Sequence, residues 1–132
     1  MLPLPVVRYM IVCDDYEIDP VRAHSLNVYG VISTIRSQED PPYPLVHREL
    51  CVLLMLSECR GSGEGYIRCV SEESGEEIHR TATYRIQFGS DPLELFGVPF
   101  RLHGCKFPAA GLYAIEFWYN DRKLDERVVR LR

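Results

Sequence analysis

The fold is decided by residues 107–120, which read FPAAGLYAIEFWYN. After Gly111, large apolar residues occupy every second position, and a period of two is typical of a β-strand. The pattern places on one face Tyr113, Ile115, Phe117 and Tyr119, and on the other face Leu112, Ala114, Glu116 and Trp118. Asn120-Asp121 is turn-forming, so the sequence predicts a hairpin that leads into a final strand over residues 123–131. We expect the first face to lie in the core and the second face to point outward.

The rest of the chain contains further strand patterns at a spacing of roughly ten residues. Residues 78–88 and 96–102 alternate, and Gly97 and Pro99 indicate an edge or a bulge in the second segment. Residues 7–13, 26–35 and 50–56 are apolar on both faces, which is typical of central strands. Turn-forming residues lie at 40–44, 60–63 and 73–76, and the sequence favours one helical turn at 91–94. About eight strands predict an antiparallel sandwich or barrel.

The composition describes a single domain over residues 1–132. The chain has 132 residues, of which 46% are hydrophobic and 26% are charged. About two-thirds of the surface of such a chain is buried on folding, which is enough for one hydrophobic core. No apolar run approaches the roughly 20 residues that span a bilayer, so we expect no membrane span. The net charge of −4 and the pI near 5.5 make nucleic acid a poor partner.

The cysteines and the start of the chain indicate a compartment. There are five cysteines, an odd number without a C-x-x-C pair: Cys13, Cys51, Cys59, Cys69 and Cys105. This pattern disfavours both a disulfide framework and a zinc ribbon. Residues 1–7 lack a basic start and Arg8 interrupts their apolar run, so we expect no secretory signal. The sequence therefore predicts a cytoplasmic protein with free thiols.

The last two predicted strands resemble the F and G strands of immunoglobulin-like folds. The residues that carry this resemblance are Gly111 and Tyr113. In those folds a Gly-x-Tyr step enters the F strand, and the tyrosine hydroxyl closes a corner on the preceding loop. Antibody-type domains have a cysteine two residues later, where this chain has Ile115. The resemblance implies an immunoglobulin-like antiparallel β-sandwich of about eight strands that is not an antibody-type domain.

Most of the chain also resembles an uncharacterised bacterial family of small β-sandwich proteins. The motifs that carry this resemblance are Cys13-Asp14-Asp15, Tyr29-Gly30-Val31, Asp91-Pro92-Leu93 and Phe107-Pro108-x-x-Gly111-x-Tyr113. The resemblance implies an all-β fold and a bacterial, intracellular protein. It implies no activity.

An acidic segment follows the first predicted strand. It contains Asp14, Asp15, Glu17 and Asp19. Calcium takes about six to eight oxygen ligands, and sandwich domains that resemble the membrane-targeting C2 type gather them from acidic loops. A second loop would have to supply Asp40 or Asp91, and the simpler interpretation is a solvated turn whose carboxylates cap backbone N–H groups. A calcium- or other metal-binding domain is therefore the alternative function.

Patterns of catalytic residues are weak in this chain. His103-Gly104-Cys105 would place an imidazole and a thiol on one strand face, but two ligands do not make a zinc site. There is no nucleophile elbow, and the glycine-rich residues 60–65 lack the Lys-Ser/Thr ending of a phosphate loop. We therefore expect no enzyme activity, no catalytic residues and no cofactor.

Trp118 is the residue that points to a function. It is the only tryptophan, and the strand period places it outward with Ala114 and Glu116. Tryptophan is over-represented among the residues that dominate protein interfaces. Burial of Trp118 beneath the loop at 40–44 is an equally good interpretation. We expect a non-enzymatic protein-interaction or assembly module that uses Trp118, Ala114 and Glu116 to bind a protein partner or a second copy of itself.

Overall fold

A computed structural model describes residues 4–22 and 25–132. The predicted all-β class is confirmed, and no described residue belongs to a helix long and apolar enough to cross a membrane. The strands are β1 (Val6–Ile18), β2 (Leu26–Val31), β3 (Thr34–Ile35), β4 (Leu45–Ser57), β5 (Ser62–Ser71), β6 (Glu77–Arg80), β7 (Tyr84–Gln87), β8 (Phe96–Phe107), β9 (Gly111–Tyr119) and β10 (Arg122–Leu131). Residues 1–3, on which the expectation of no secretory signal partly rests, lie outside the described residues.

These strands form two sheets. The four-stranded sheet has the order β2-β1-β4-β8, and its neighbours are antiparallel. The six-stranded sheet has the order β3-β10-β9-β5-β6, and β7 also pairs with β5. β3 runs parallel to the end of β10, while the other neighbours in this sheet are antiparallel.

The hydrophobic core contains alternate residues of both sheets. From the four-stranded sheet, β4 contributes Leu50, Val52, Leu54 and Leu56. From the six-stranded sheet, β9 contributes Tyr113, Ile115, Phe117 and Tyr119, so the predicted core face of this strand is confirmed. Cys13, Cys51 and Leu53 form a separate small cluster, because the period of two turns them to the other face of the four-stranded sheet.

The apolar segments predicted as central strands have different outcomes. Residues 7–13 and 50–56 lie in β1 and β4, the two central strands of their sheet, as predicted. Residues 26–35 do not form one central strand, because the chain leaves the four-stranded sheet after Val31 and enters the other as β3. Gly30 precedes this crossing with φ +65°, and a Cβ there would meet Asp14 at 2.5 Å. Residues 96–102 lie in β8 at a sheet edge, as Gly97 and Pro99 predict.

The predicted strand over residues 78–88 is also divided. It forms β6 and β7, which pair with different parts of β5. Between them, the Thr81 N–H donates to the Ile67 carbonyl at 2.9 Å, while the Ile67 N–H donates to the Thr81 hydroxyl at 3.0 Å. A side-chain oxygen thus replaces a backbone acceptor, and the ladder is interrupted. Because two segments are each divided, the described residues contain ten strands where about eight were expected.

Two local predictions near the loops need correction. Residues 91–94 form a turn instead of a helical turn, in which the Asp91 carboxylate accepts a hydrogen bond from the Leu93 N–H at 2.9 Å. The glycine-rich segment at 60–65 is only partly a turn, because β5 already begins at Ser62. A Cβ at Gly63 would lie 2.1 Å from the Tyr119 hydroxyl oxygen, so the glycine allows the core tyrosine to pack against this strand.

The corner that was predicted around Tyr113 is present. The Tyr113 hydroxyl donates a hydrogen bond to the Ala109 carbonyl at 2.7 Å. Gly111 has φ +141°, in the region that favours glycine. The hairpin that follows turns at Asn120 and Asp121, whose φ values of +47° and +62° suit a tight two-residue turn.

Candidate functional site

Trp118 lies on the outer face of the six-stranded sheet. Its strand β9 is flanked by β5 and β10, and Trp118 is paired with Tyr66 on one side and Lys123 on the other. The indole is partly exposed and does not belong to the core cluster. The adjacent residues Phe117 and Tyr119 do belong to it. Burial beneath the loop at 40–44 is therefore not the arrangement in this structure.

Two aromatic rings and two guanidinium groups cover this face, and we call Tyr66, Arg68, Arg80 and Trp118 the aromatic–arginine ladder. The rings of Tyr66 and Trp118 are parallel within 3°, with centroids 6.1 Å apart. Arg80 lies over the Tyr66 ring at 4.5 Å from its centroid, and Arg68 lies over the Trp118 ring at 5.2 Å. These cation–π contacts hold the aromatic side chains in defined positions on the sheet surface.

Glu116 forms hydrogen bonds with two residues of the ladder. Its carboxylate accepts hydrogen bonds from Arg68 Nε at 2.6 Å and from Trp118 Nε1 at 2.9 Å, and Lys123 Nζ lies 3.6 Å away. Burial acts to raise the pKa of Glu116, but the hydrogen bonds from Trp118 and Arg68 and the nearby positive charges outweigh it and lower the pKa. The carboxylate is thus charged at neutral pH and fixes both Trp118 and Arg68.

The structure agrees with the predicted orientation of Ala114 and Glu116 and differs from the prediction in their exposure. Ala114 and Glu116 lie on the outer face as predicted, but they are only 4% and 7% exposed. Because both residues are buried, neither can form an exposed flank of Trp118. The Glu116 carboxylate is surrounded by Arg68, Trp118 and Lys123. The exposed flanks come from Arg68 on β5, Lys123 on β10 and Arg80 on β6, one strand further away. The alternation of Tyr66 and Arg68 between buried residues is the sequence signal that could have found them.

The acidic segment is mostly strand. Asp14, Asp15 and Glu17 belong to β1, and only Asp19 lies in the loop beyond it. Asp15 accepts a hydrogen bond from the Tyr16 N–H at 2.8 Å and pairs with Arg101 at 3.2 Å, and these contacts lower its pKa. Asp19 accepts hydrogen bonds from the backbone N–H groups of Val21 and Arg22, which lower its pKa as well.

The other two carboxylates of this segment have separate partners. Asp14 Oδ1 lies 3.6 Å from His47 Nε2, and Glu17 accepts a hydrogen bond from the Tyr29 hydroxyl at 2.7 Å. Within residues 4–22 and 25–132, no group of three or more His, Cys, Asp or Glu side chains is arranged to hold a metal ion. The four acidic side chains are therefore directed to four different local contacts.

The five cysteines are free and buried. Burial raises the pKa of Cys51 and of Cys59 to about 11 in each case. Cys69 and Cys105 contact each other in the core, and the hydrogen bond between the two thiols raises the pKa of Cys69. The prediction that His103 and Cys105 share a face is wrong, since His103 is exposed and Cys105 is fully buried. Gly104 between them has φ +64°, which distorts the strand.

Comparison with known proteins shows the family of the chain. Residues 8–132 match DUF6941, which is described as a family of unknown function. The chain belongs to the DUF6941 family. The prediction of an uncharacterised family is thereby confirmed, and the match includes the aromatic–arginine ladder and the acidic segment. No curated protein matches the DUF6941 chain.

Two solved structures are similar to the DUF6941 chain. One is Pseudomonas fluorescens alkylpurine DNA glycosylase AlkC bound to DNA containing an abasic site analog, with a TM-score of 0.52 and 10% identity. That similarity covers 97% of this chain and 30% of the glycosylase, so the chain spans less than a third of that protein. The other is a "Putative Lipoprotein from Bacillus anthracis", with a TM-score of 0.41 and 17% identity over 77% of this chain and 70% of that chain. At 10% identity the glycosylase shows a shared fold alone.

Proposed function

We propose that this protein is an immunoglobulin-like sandwich that serves as a non-enzymatic protein-interaction or assembly module in the bacterial cytoplasm. The observation that carries the proposal is the aromatic–arginine ladder on the outer face of the six-stranded sheet. Tryptophan, tyrosine and arginine are the residues that most often dominate the energy of protein interfaces, and here they lie side by side. The tyrosine corner at Tyr113 supports the immunoglobulin-like assignment.

The ladder suits binding because it is ordered before a partner arrives. Trp118 is held by Tyr66, by Arg68 and by the carboxylate of Glu116. A side chain that is already fixed loses less conformational entropy on binding, so more of the interaction energy appears as affinity. Arg80 and Lys123 are about half exposed at the margins, and they provide a polar rim around the apolar centre.

The experiment compares the wild-type chain with Trp118→Ala. The native-cell proteins retained by each immobilised chain are identified, and self-association is measured by sedimentation. We expect Trp118→Ala to reduce the free energy of binding to a defined partner, or of self-association, by about 2 kcal/mol or more. Val128→Ala, an exposed apolar position on the neighbouring strand, serves as the matched control and should retain the partner.

Unfolding of the same variant separates binding from folding. Because Trp118 lies outside the core cluster, its removal should cost less than the roughly 3 to 5 kcal/mol that loss of a core aromatic costs. If Trp118→Ala binds every partner and self-associates as the wild type does, the ladder is not the binding surface and the proposal fails.

A further inference from the structure

A second surface, on the other sheet, has the form of a binding groove. A cavity of about 370 Å³ lies on the four-stranded side of the molecule, next to the segment between β7 and β8. Its walls are mainly apolar and include Tyr16, Leu26, Met55, Leu95, Phe96 and Pro99. Since the Trp118 surface belongs to the six-stranded sheet, this cavity is a separate feature of the molecule.

The cavity is open to solvent and has the volume of a ligand site. A water molecule occupies about 30 Å³ in the liquid, so this cavity has room for roughly a dozen of them. Apolar walls offer those waters few hydrogen bonds, and an apolar group that displaces them gains affinity. The volume also falls within the range of about 300 to 1,000 Å³ that is typical of ligand sites.

A glycine keeps the floor of the cavity open. Gly97 lies on β8, and a Cβ at this position would be 3.3 Å from Met55 Sδ and 3.9 Å from Leu26 Cδ1. Any larger side chain at residue 97 would therefore project among the side chains that line the cavity. The position offers a direct way to fill the cavity by mutation.

The apolar surface continues beyond the cavity. A second depression of about 330 Å³ lies on the other side of Leu95 and is lined in part by Tyr9 and Leu93. Leu93 is 82% exposed, Tyr9 58% and Leu95 48%, so these three large side chains offer accessible apolar surface beside the two depressions. Two neighbouring depressions separated by one side chain fit an extended chain with two apolar side chains better than they fit one compact molecule.

Acidic groups lie beside both depressions. Asp91 and Glu94 line the cavity, and Glu58 lines the second depression, where Arg8 is its partner at 3.5 Å. Among the described residues that line the two depressions, three carboxylates face one guanidinium, so this lining carries a net negative charge. Complementary charge favours a positively charged partner and accelerates its association.

We propose that this groove binds an extended protein segment in which bulky apolar side chains lie next to lysine or arginine. The apolar side chains occupy the cavity and the second depression on either side of Leu95, and the basic side chains pair with Asp91 and Glu94. The inference concerns a surface other than the aromatic–arginine ladder, and it stands whether or not Trp118 binds a partner.

The first test uses peptides of defined sequence with the full chain. Acetylated Arg-Leu-Ser-Leu-Arg is titrated by fluorescence anisotropy and compared with Glu-Leu-Ser-Leu-Glu, which has the same apolar residues and the opposite charge. We expect the basic peptide to bind at least tenfold more tightly than the acidic peptide. Its affinity should fall as the salt concentration is raised. Equal affinity for the two peptides, or no binding of the basic peptide at millimolar concentration, overturns the proposal. Tighter binding of octylammonium, a small cationic amphiphile, than of the basic peptide overturns it too.

The second test uses variants of the groove. Gly97→Leu fills the cavity, and Leu95→Ser changes an exposed position. Each variant should bind the basic peptide at least tenfold more weakly than the wild type does. Glu94→Gln should reduce the preference for the basic over the acidic peptide at least threefold, whereas the matched control Glu72→Gln, in the turn between β5 and β6, should not. Trp118→Ala should bind the peptide as the wild type does, which separates this site from the ladder. Wild-type affinity in both Gly97→Leu and Leu95→Ser refutes the assignment of the groove.

Discussion

The indole N–H of Trp118 donates a hydrogen bond to the carboxylate of Glu116, two residues earlier on the same strand, at 2.9 Å. Residues two apart in a strand lie on the same face, so a buried acid and a partly exposed aromatic are joined on the outer surface of the sheet. The charge of Glu116 thus determines where Trp118 lies, and the stability of the surface depends on pH.

Glu116→Gln tests this dependence. The pKa of Glu116 is lowered on folding, so the charged carboxylate stabilises the fold above its unfolded pKa of about 4.3, and the contribution is lost as the pH falls through the lower folded value. We expect Glu116→Gln to reduce the free energy of unfolding by about 2 kcal/mol at pH 7. The difference from wild type should be smaller at pH 3 than at pH 7, because protonation of the carboxyl removes this contribution.

Urea unfolding at both pH values gives the measurement. The control is Glu126→Gln, whose side chain is 39% exposed and pairs with Lys123 at 3.5 Å. This exposed pair should contribute less than about 0.5 kcal/mol. If both variants lose the same free energy of unfolding at pH 7, the buried contacts of Glu116 stabilise the fold no more than an exposed ion pair does.

Tyr113 should stabilise the corner through its hydroxyl. Tyr113→Phe removes the bond to the Ala109 carbonyl and should cost about 1 kcal/mol. Gly111→Val should cost more, because valine is strained at φ +141°. Denaturant unfolding measures both, with Tyr84→Phe as an exposed control. Losses below a few tenths of a kcal/mol in both variants would reject the structural role of the corner.

The five thiols should be protected in the native state. Burial raises the pKa of Cys51 and Cys59 to about 11, so at pH 8 only about one in a thousand of these groups is a thiolate. We expect slow reaction of the native protein with iodoacetamide, and five added groups by mass spectrometry after denaturation without reductant. Two or more unlabelled cysteines after denaturation would contradict the prediction of free thiols in a reducing compartment.

Calcium should have little effect on stability. A cation that binds only the folded state raises the melting temperature, and each acidic side chain of residues 14–19 has its own local partner. We expect the melting temperature in millimolar calcium to match that in chelator. A rise of several degrees that is lost when Asp14→Asn and Asp15→Asn are combined would favour the metal-binding alternative over the interaction module.

Sequence patterns predicted the structure correctly where the alternation of apolar and polar residues within one strand is sufficient. The alternation from Tyr113 to Tyr119 identifies both the inner and the outer face of β9, because successive side chains of a strand point to opposite faces of the sheet. The division of residues 78–88 was not predictable from alternation, since it depends on the Thr81 hydroxyl meeting the Ile67 N–H from a distant strand. The contacts of the Glu116 carboxylate depend in the same way on Arg68 and Lys123 of the neighbouring strands.

The binding groove was also beyond the reach of sequence patterns. Its walls come from β1, β2, β4, β8 and the segment before β8, so no short stretch of sequence contains it. Gly97 was interpreted as a sign of an edge or a bulge, and β8 is an edge strand. Its second role in leaving the cavity floor open appears only once Met55 and Leu26 are seen opposite it.

The way in which the chain alternates between the two sheets has a consequence for how the protein folds. The chain crosses from one sheet to the other between β2 and β3, β3 and β4, β4 and β5, β7 and β8, and β8 and β9. Neither sheet is therefore made from one continuous piece of chain. Domains dominated by such distant pairings fold on a timescale of roughly milliseconds to seconds. The four-stranded sheet has all of its strands once β8 has been synthesised, whereas the six-stranded sheet still lacks β9 and β10 at that point.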